Sequence, residues 1–196
     1  TGAQGAAIRR GTPEYRRATV GMLFVSLAIF SCLYSTQALL PTLTEALGVS
    51  PSQAALTVSA ATGALAVCVV PASILSEKFG RGRVLTISAT AATAMGFALP
   101  LSQSIGQMIA LRALQGVLIA GTPAVAMAWL SEEIDERDLP RAMGLYIAGN
   151  TVGGLMGRLV PAFVLEVASW RWALMVSGAV SFALAAAAWW MLPEQR

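Results

Sequence analysis

Histidine is absent from the 196 residues, and only 12% of them carry a charge. The first absence removes the commonest metal ligand and general base. It also excludes a Ser/His protease and an H-E-x-x-H zinc protease, so no enzyme activity is expected. The second absence matters as much, because soluble domains carry about a quarter charged residues. Cysteine occurs only as Cys32 and Cys68. Both lie in apolar stretches and read as small core residues rather than as a disulfide or metal pair. No basic face interleaved with aromatics is visible, so the net charge of +3 gives no footing for nucleic acid.

What the chain has in quantity is hydrophobic residues, 56% of the total. No Asp, Glu, Lys or Arg occurs from Ala18 to Thr44, Ala46 to Ser76, Val84 to Leu111 or Trp172 to Pro193. Each gap meets or exceeds the roughly 20 apolar residues that span a bilayer core. Two shorter gaps, Ala113 to Ser131 and Ala142 to Gly157, bring the number to six. The sequence therefore predicts an all-α membrane protein with helices at about 15–41, 51–77, 82–102, 105–131, 138–165 and 170–192. The punctuation agrees. Pro41 and Pro100 close spans, Ser50-Pro51 opens one, and Gly80 with Gly82 marks a tight turn.

Residues 1–14 read as a flexible tail carrying Arg9 and Arg10, without the apolar core of a signal peptide. Basic residues also flank the second-to-third turn (Lys78, Arg81, Arg83) and the fourth-to-fifth turn (Arg137, Arg141), whereas the alternate loops hold only Arg171. The positive-inside rule then puts both termini in the cytoplasm, as an even number of spans requires. Residues 193–196 read as the start of a cytoplasmic linker.

Three motifs carry the functional reading. The second-to-third loop runs Ser73-Ile-Leu-Ser-Glu77-Lys78-Phe-Gly80-Arg81-Gly-Arg83. The fourth span holds Arg112-Ala-Leu-Gln115-Gly116, with its arginine some way inside the apolar stretch. Such a charge costs several kcal/mol unless it snorkels, pairs or lines water. The fifth span holds Gly149, Gly153 and Gly157, a stripe suited to close helix contact, with Asn150 beside it and Arg158 at its end. No mid-span acid is present to neutralise Arg112 or Arg158, so the partner is expected to be a carboxylate of another half, an anionic substrate or water. Tyr34, Ser35 and Gln37 form a polar stripe at the end of the first span.

The Glu77–Arg83 loop resembles the signature loop of the major facilitator superfamily, with Ser73 in place of its first glycine and Glu77 in place of aspartate. Arg112-x-x-Gln115-Gly116 resembles the same family's fourth-helix element, and the stretch around Gly144–Arg158 resembles a YnfM-like branch of bacterial efflux carriers. The Gly-Pro pair common in antiporters of the family is missing. The resemblance implies the N-terminal six-helix half of a secondary transporter, built as an inverted three-plus-three repeat in a bacterial inner membrane. It implies that Glu77, Lys78, Gly80, Arg81 and Arg83 form a cytoplasmic latch. It also implies that Tyr34, Gln37, Gln115 and Asn150 are candidates to line a substrate cavity. Expected partners are lipid, a second six-helix half and a small solute. No cofactor is implied, and proton coupling stays open. A half-size carrier working as a homodimer, and a structural or channel subunit, stay open as well.

Overall fold

The computed structural model describes residues 7–193. The elements run α1 (Pro13–Leu33), a 3-10 turn at Gln37–Leu39, α2 (Leu40–Leu47), α3 (Pro51–Phe79) and α4 (Arg81–Met95). A second 3-10 turn follows at Leu99–Leu101, then α5 (Ile105–Ile119), α6 (Pro123–Glu133), α7 (Leu139–Leu165) and α8 (Trp170–Met191). They make six antiparallel spans. Five stretches, Pro13–Leu47, Pro51–Phe79, Arg81–Leu101, Ile105–Glu133 and Trp170–Met191, are long and apolar enough to cross a membrane. The sixth, α7, has 27 residues and is long enough at 1.5 Å per residue. Its glycines, Asn150 and Arg158 dilute its hydropathy, and it packs against α1 and α8 within the bundle.

Helix starts follow local chemistry. The Thr12 hydroxyl accepts from the Tyr15 amide ahead of Pro13. Ser50 and Gln53 form a reciprocal capping box before α3, with Pro51 at its first position. The Ser104 hydroxyl accepts from the Gln107 amide before α5.

Three predicted helices are interrupted. The span expected over 15–41 stops at Leu33 and resumes at Leu40, because Pro41 has no amide proton and its ring excludes a regular preceding turn. The 82–102 span ends its α-helix at Met95, with Pro100 in the following 3-10 turn. The 105–131 span breaks at Ala120–Thr122 before Pro123. Pro71 and Pro161, by contrast, sit inside unbroken helices.

The tail differs too. Residues 1–6 lie outside the described residues, but Ile8 is buried and pairs with the loop before α7. Its amide donates to the Glu133 carbonyl, and its own carbonyl accepts from the Asp135 amide, both at 2.8 Å. Arg10 adds a backbone donation to Asp138 at 2.8 Å, and Arg9 pairs with Asp135 at 3.5 Å. A buried anchor and a short β-bridge fix residues 8–12, which composition alone marked as loose.

The core runs along α1, the central helix, with Met22, Val25, Ile29 and Leu33 packed against Trp129, Tyr146 and Ala188. The outer surface is inverted relative to a soluble protein: Val67, Ile74, Phe163 and Val167 are exposed, and Trp190 is 83% exposed. Such a surface suits lipid or a further packed element.

Candidate functional site: two arginines and a charged turn

The break in the first span creates the environment of Arg112. At the end of α1 the carbonyls of Cys32 and Leu33 have lost their normal helical donors, leaving acceptors at the negative end of the helix dipole. Arg112, on α5, fills them. Its Nη1 donates to the Cys32 carbonyl at 3.0 Å and to Gln115 Oε1 at 2.8 Å, Nη2 donates to the Leu33 carbonyl, and Nε donates to the Thr57 carbonyl of α3 at 2.8 Å. Four of the five guanidinium donors are satisfied, and the residue is 0% exposed. Gln115 is fully buried as well, and its Nε2 donates to the Ala92 carbonyl of α4 at 3.0 Å and meets Cys32 Sγ.

Gly116 makes the approach possible. A Cβ there would stand 2.2 Å from the Ala61 carbonyl, so α5 and α3 meet backbone to backbone. Arg112 lies one turn before Gly116, and Thr57 one turn before Ala61, so the close contact brings guanidinium and carbonyl into register. Two expectations are corrected here. Arg112 takes its partners from within the chain rather than from a second half or a substrate, and Gln115 holds that arginine instead of lining open space.

Arg158 lies in a different setting. Gly149, Gly153 and Gly157 press α7 onto α1, where added Cβ atoms would meet Ser26 at 2.8 Å, Leu27 at 2.9 Å and the Ser31 carbonyl at 2.5 Å. This face is consumed inside the bundle, so of the two surfaces through which a homodimer could form, the glycine stripe and the Glu77 turn, the first is not free to join two copies. Asn150 spans the same seam and meets Ser26 Oγ, which also donates to the Tyr146 carbonyl at 2.9 Å. A Cβ at Gly154 would stand 3.4 Å from two carbons of the Tyr34 ring. The same packing delivers Arg158 to Tyr34 and Gln37: Nε donates to Gln37 Oε1 at 2.9 Å, and the guanidinium stacks 4.6 Å from the Tyr34 centroid. Both Arg158 and Gln37 are exposed, and the two Nη groups have no partner among the described residues.

At the opposite end, Gly80 joins α3 to α4 with φ 98° and ψ 128°, a conformation that only glycine adopts without strain. Arg81 is its hub. Nε donates to Glu132 at 2.9 Å, Nη2 to Glu77 at 3.3 Å and Nη1 to Ser76 Oγ at 2.9 Å. The turn is thereby tied to the end of α6. Glu132 was not expected in this role. Its place in an acidic run with Glu133 and Asp135 gave no hint of a partner 51 residues away. Lys78 lies over the Phe79 ring, and Arg83 is exposed. A recess of about 1130 Å³ opens beneath the turn, bounded by Arg17, Lys78, Arg83, Trp129 and Trp189.

The sequence model described as Major Facilitator Superfamily matches residues 21–196. The chain belongs to the Major Facilitator Superfamily. Among its relatives, the MFS-type transporter YybF of Bacillus subtilis is 37% identical over 96% of this chain and 47% of its own length. The inner membrane transport protein YnfM of Escherichia coli is 35% identical over 96% of this chain and 45% of its own. A bacterial homologue of the human lysosomal transporter Spinster, solved in an inward-facing and occupied conformation, shares the fold. Its TM-score is 0.81 at 16% identity, covering 94% of this chain and 45% of that one. The chain thus spans about half the length of the relatives it matches, and it is a multi-pass membrane protein of a transporter superfamily.

Proposed function

We propose that this chain is the N-terminal half of a secondary transporter that exports a small solute by alternating access, and that it lines one wall of the translocation pathway. The observation that carries this reading is the Tyr34–Gln37–Arg158 cluster. It is a polar, cationic group exposed on the side of an otherwise apolar bundle, in a chain about half as long as its relatives. A charge at that depth has a low cost only where it meets water or another polar surface. The six helices bury their own core, and a second six-helix half would cover this face. The latch reading belongs to the same proposal, with Gly80 and Arg81 forming a rigid turn for the other half to dock against. The alternation of basic turns favours a bacterial inner membrane with both termini cytoplasmic. Proton coupling, if present, falls to the rim carboxylates or to the other half.

The test is solvent access to the cluster in the complete carrier. With Cys32 and Cys68 replaced by serine, Gln37→Cys is expected to react with a water-soluble, membrane-impermeant maleimide. Reaction only with lipid-soluble reagents would place the cluster against the bilayer and remove the pathway reading.

A further inference from the structure

We infer that the outward edge of Arg158 is a carboxylate-binding site, filled by the acid group of a transported solute or by an Asp or Glu of the second half. The inference rests on the pathway reading and narrows it to one chemistry.

Three observations support it. First, the guanidinium is fixed before any guest arrives. Gln37 holds Nε at 2.9 Å, and the Tyr34 ring covers one face at 4.6 Å, so the edge that carries both Nη groups stays open. That edge presents two parallel N–H donors, the geometry that takes a carboxylate in bidentate fashion. Second, no carboxylate forms an ion pair with Arg158 among the described residues, whereas Arg9 pairs with one and Arg81 with two. Arg112 shows how the same fold treats an arginine meant to be neutralised internally, with four donors on protein acceptors. Third, the cluster offers a single cation. One unit of charge matches a carboxylate better than a phosphate dianion. The Tyr34 ring and the neighbouring exposed Leu155 and Leu159 give an apolar flank for the body of an organic acid.

The experiment is solid-state nitrogen-15 to carbon-13 dipolar recoupling on the complete carrier in lipid, with arginine side chains labelled with nitrogen-15. In one sample the carbon-13 is in the carboxyl carbons of Asp and Glu. In a second it is only in the carboxyl of added benzoate, present in large excess. Arg158→Lys keeps the charge and the fold but deletes the labelled group, so the Arg158 signal is the part of the spectrum that disappears in that variant. A benzoate cross-peak that disappears in Arg158→Lys identifies a site for free carboxylates. An Asp/Glu cross-peak that disappears in Arg158→Lys identifies a side chain of the second half as the guest. Spectra that are unchanged by Arg158→Lys in both samples overturn the inference. That last result, together with aqueous labelling at Gln37→Cys, would leave the pathway reading standing. Labelling from lipid alone would remove the reading itself.

Discussion

Arg112 and Arg158 each stand seven residues from a helix end, Arg112 after the start of α5 and Arg158 before the end of α7. Both are cations within apolar stretches of neighbouring spans, yet the chain gives them opposite surroundings. Arg112 is enclosed by carbonyls of α1 and α3 and acts as a cap supplied by another helix. Arg158 is braced by one glutamine and one aromatic ring and keeps its donors outward. The difference follows from what faces each helix. The α5 surface meets the broken end of α1, where unsatisfied carbonyls need donors. The glycines of α7 pack on the last turns of α1, which carries Arg158 to the outer side of the same break, where it meets the side chains of Tyr34 and Gln37 and no backbone carbonyl. A membrane-embedded arginine is therefore structural where it reaches the open carbonyls of an interrupted helix, and available where it meets only side chains beside them.

The largest expected effect comes from removing the enclosed cation. Arg112→Met leaves the Leu33 carbonyl bare, at about 1–3 kcal/mol for an unsatisfied buried acceptor, and strips the charged second donor from the Cys32 and Thr57 carbonyls, which keep backbone partners in the Ser35 amide and in α3. The carrier's thermal unfolding midpoint in nanodiscs should collapse, and little folded protein should survive purification. A normal midpoint would show that water replaces the guanidinium.

Next comes Gly116→Val, which drives a branched side chain into the Ala61 carbonyl. Overpacking of this kind costs about 1–3 kcal/mol or more. It should lower the midpoint and also displace Arg112 from Thr57, readable as faster hydrogen exchange at the α1 break. An unchanged exchange pattern would uncouple the glycine from the arginine.

Gly80→Val should cost about 1–3 kcal/mol, because φ 98° with ψ 128° is a conformation side chains rarely adopt. It should also abolish flux by the complete carrier while leaving the protein foldable. Unchanged flux in proteoliposomes would end the latch role of the turn.

The smallest stability effect is expected for Arg158→Gln, about 1 kcal/mol or less from the lost stacking on Tyr34. Here flux should fall far more than the midpoint. A large drop in the midpoint would make Arg158 a second structural cap and erase the contrast with Arg112.

Much of this architecture is legible in the sequence, because charge-free gaps measure bilayer thickness and basic turns alternate. The glycine stripe on α7 and the tight turn at Gly80 are equally readable, since both rest on the absence of a side chain. The helix breaks were harder. Pro41, Pro100 and Pro123 mark where a helix must falter, but composition does not say how many residues leave the helix first. The Arg112 site depends on that number, as two of its four acceptors, the Cys32 and Leu33 carbonyls, are open only because α1 stops at Leu33. Gln115 looked like a polar group in search of a cavity for the same reason. The Arg81–Glu132 pair and the Ile8 anchor were hidden by sequence separation, because a partner across the bundle leaves no local pattern.

The most direct test of the contrast is a paired measurement of unfolding midpoint and flux for Arg112→Met and Arg158→Gln in the complete carrier under identical lipid conditions. The account predicts that the first variant loses stability by a margin several times larger, while the second keeps its midpoint and loses transport. Equal losses of stability, or a flux-silent Arg158→Gln, would contradict it.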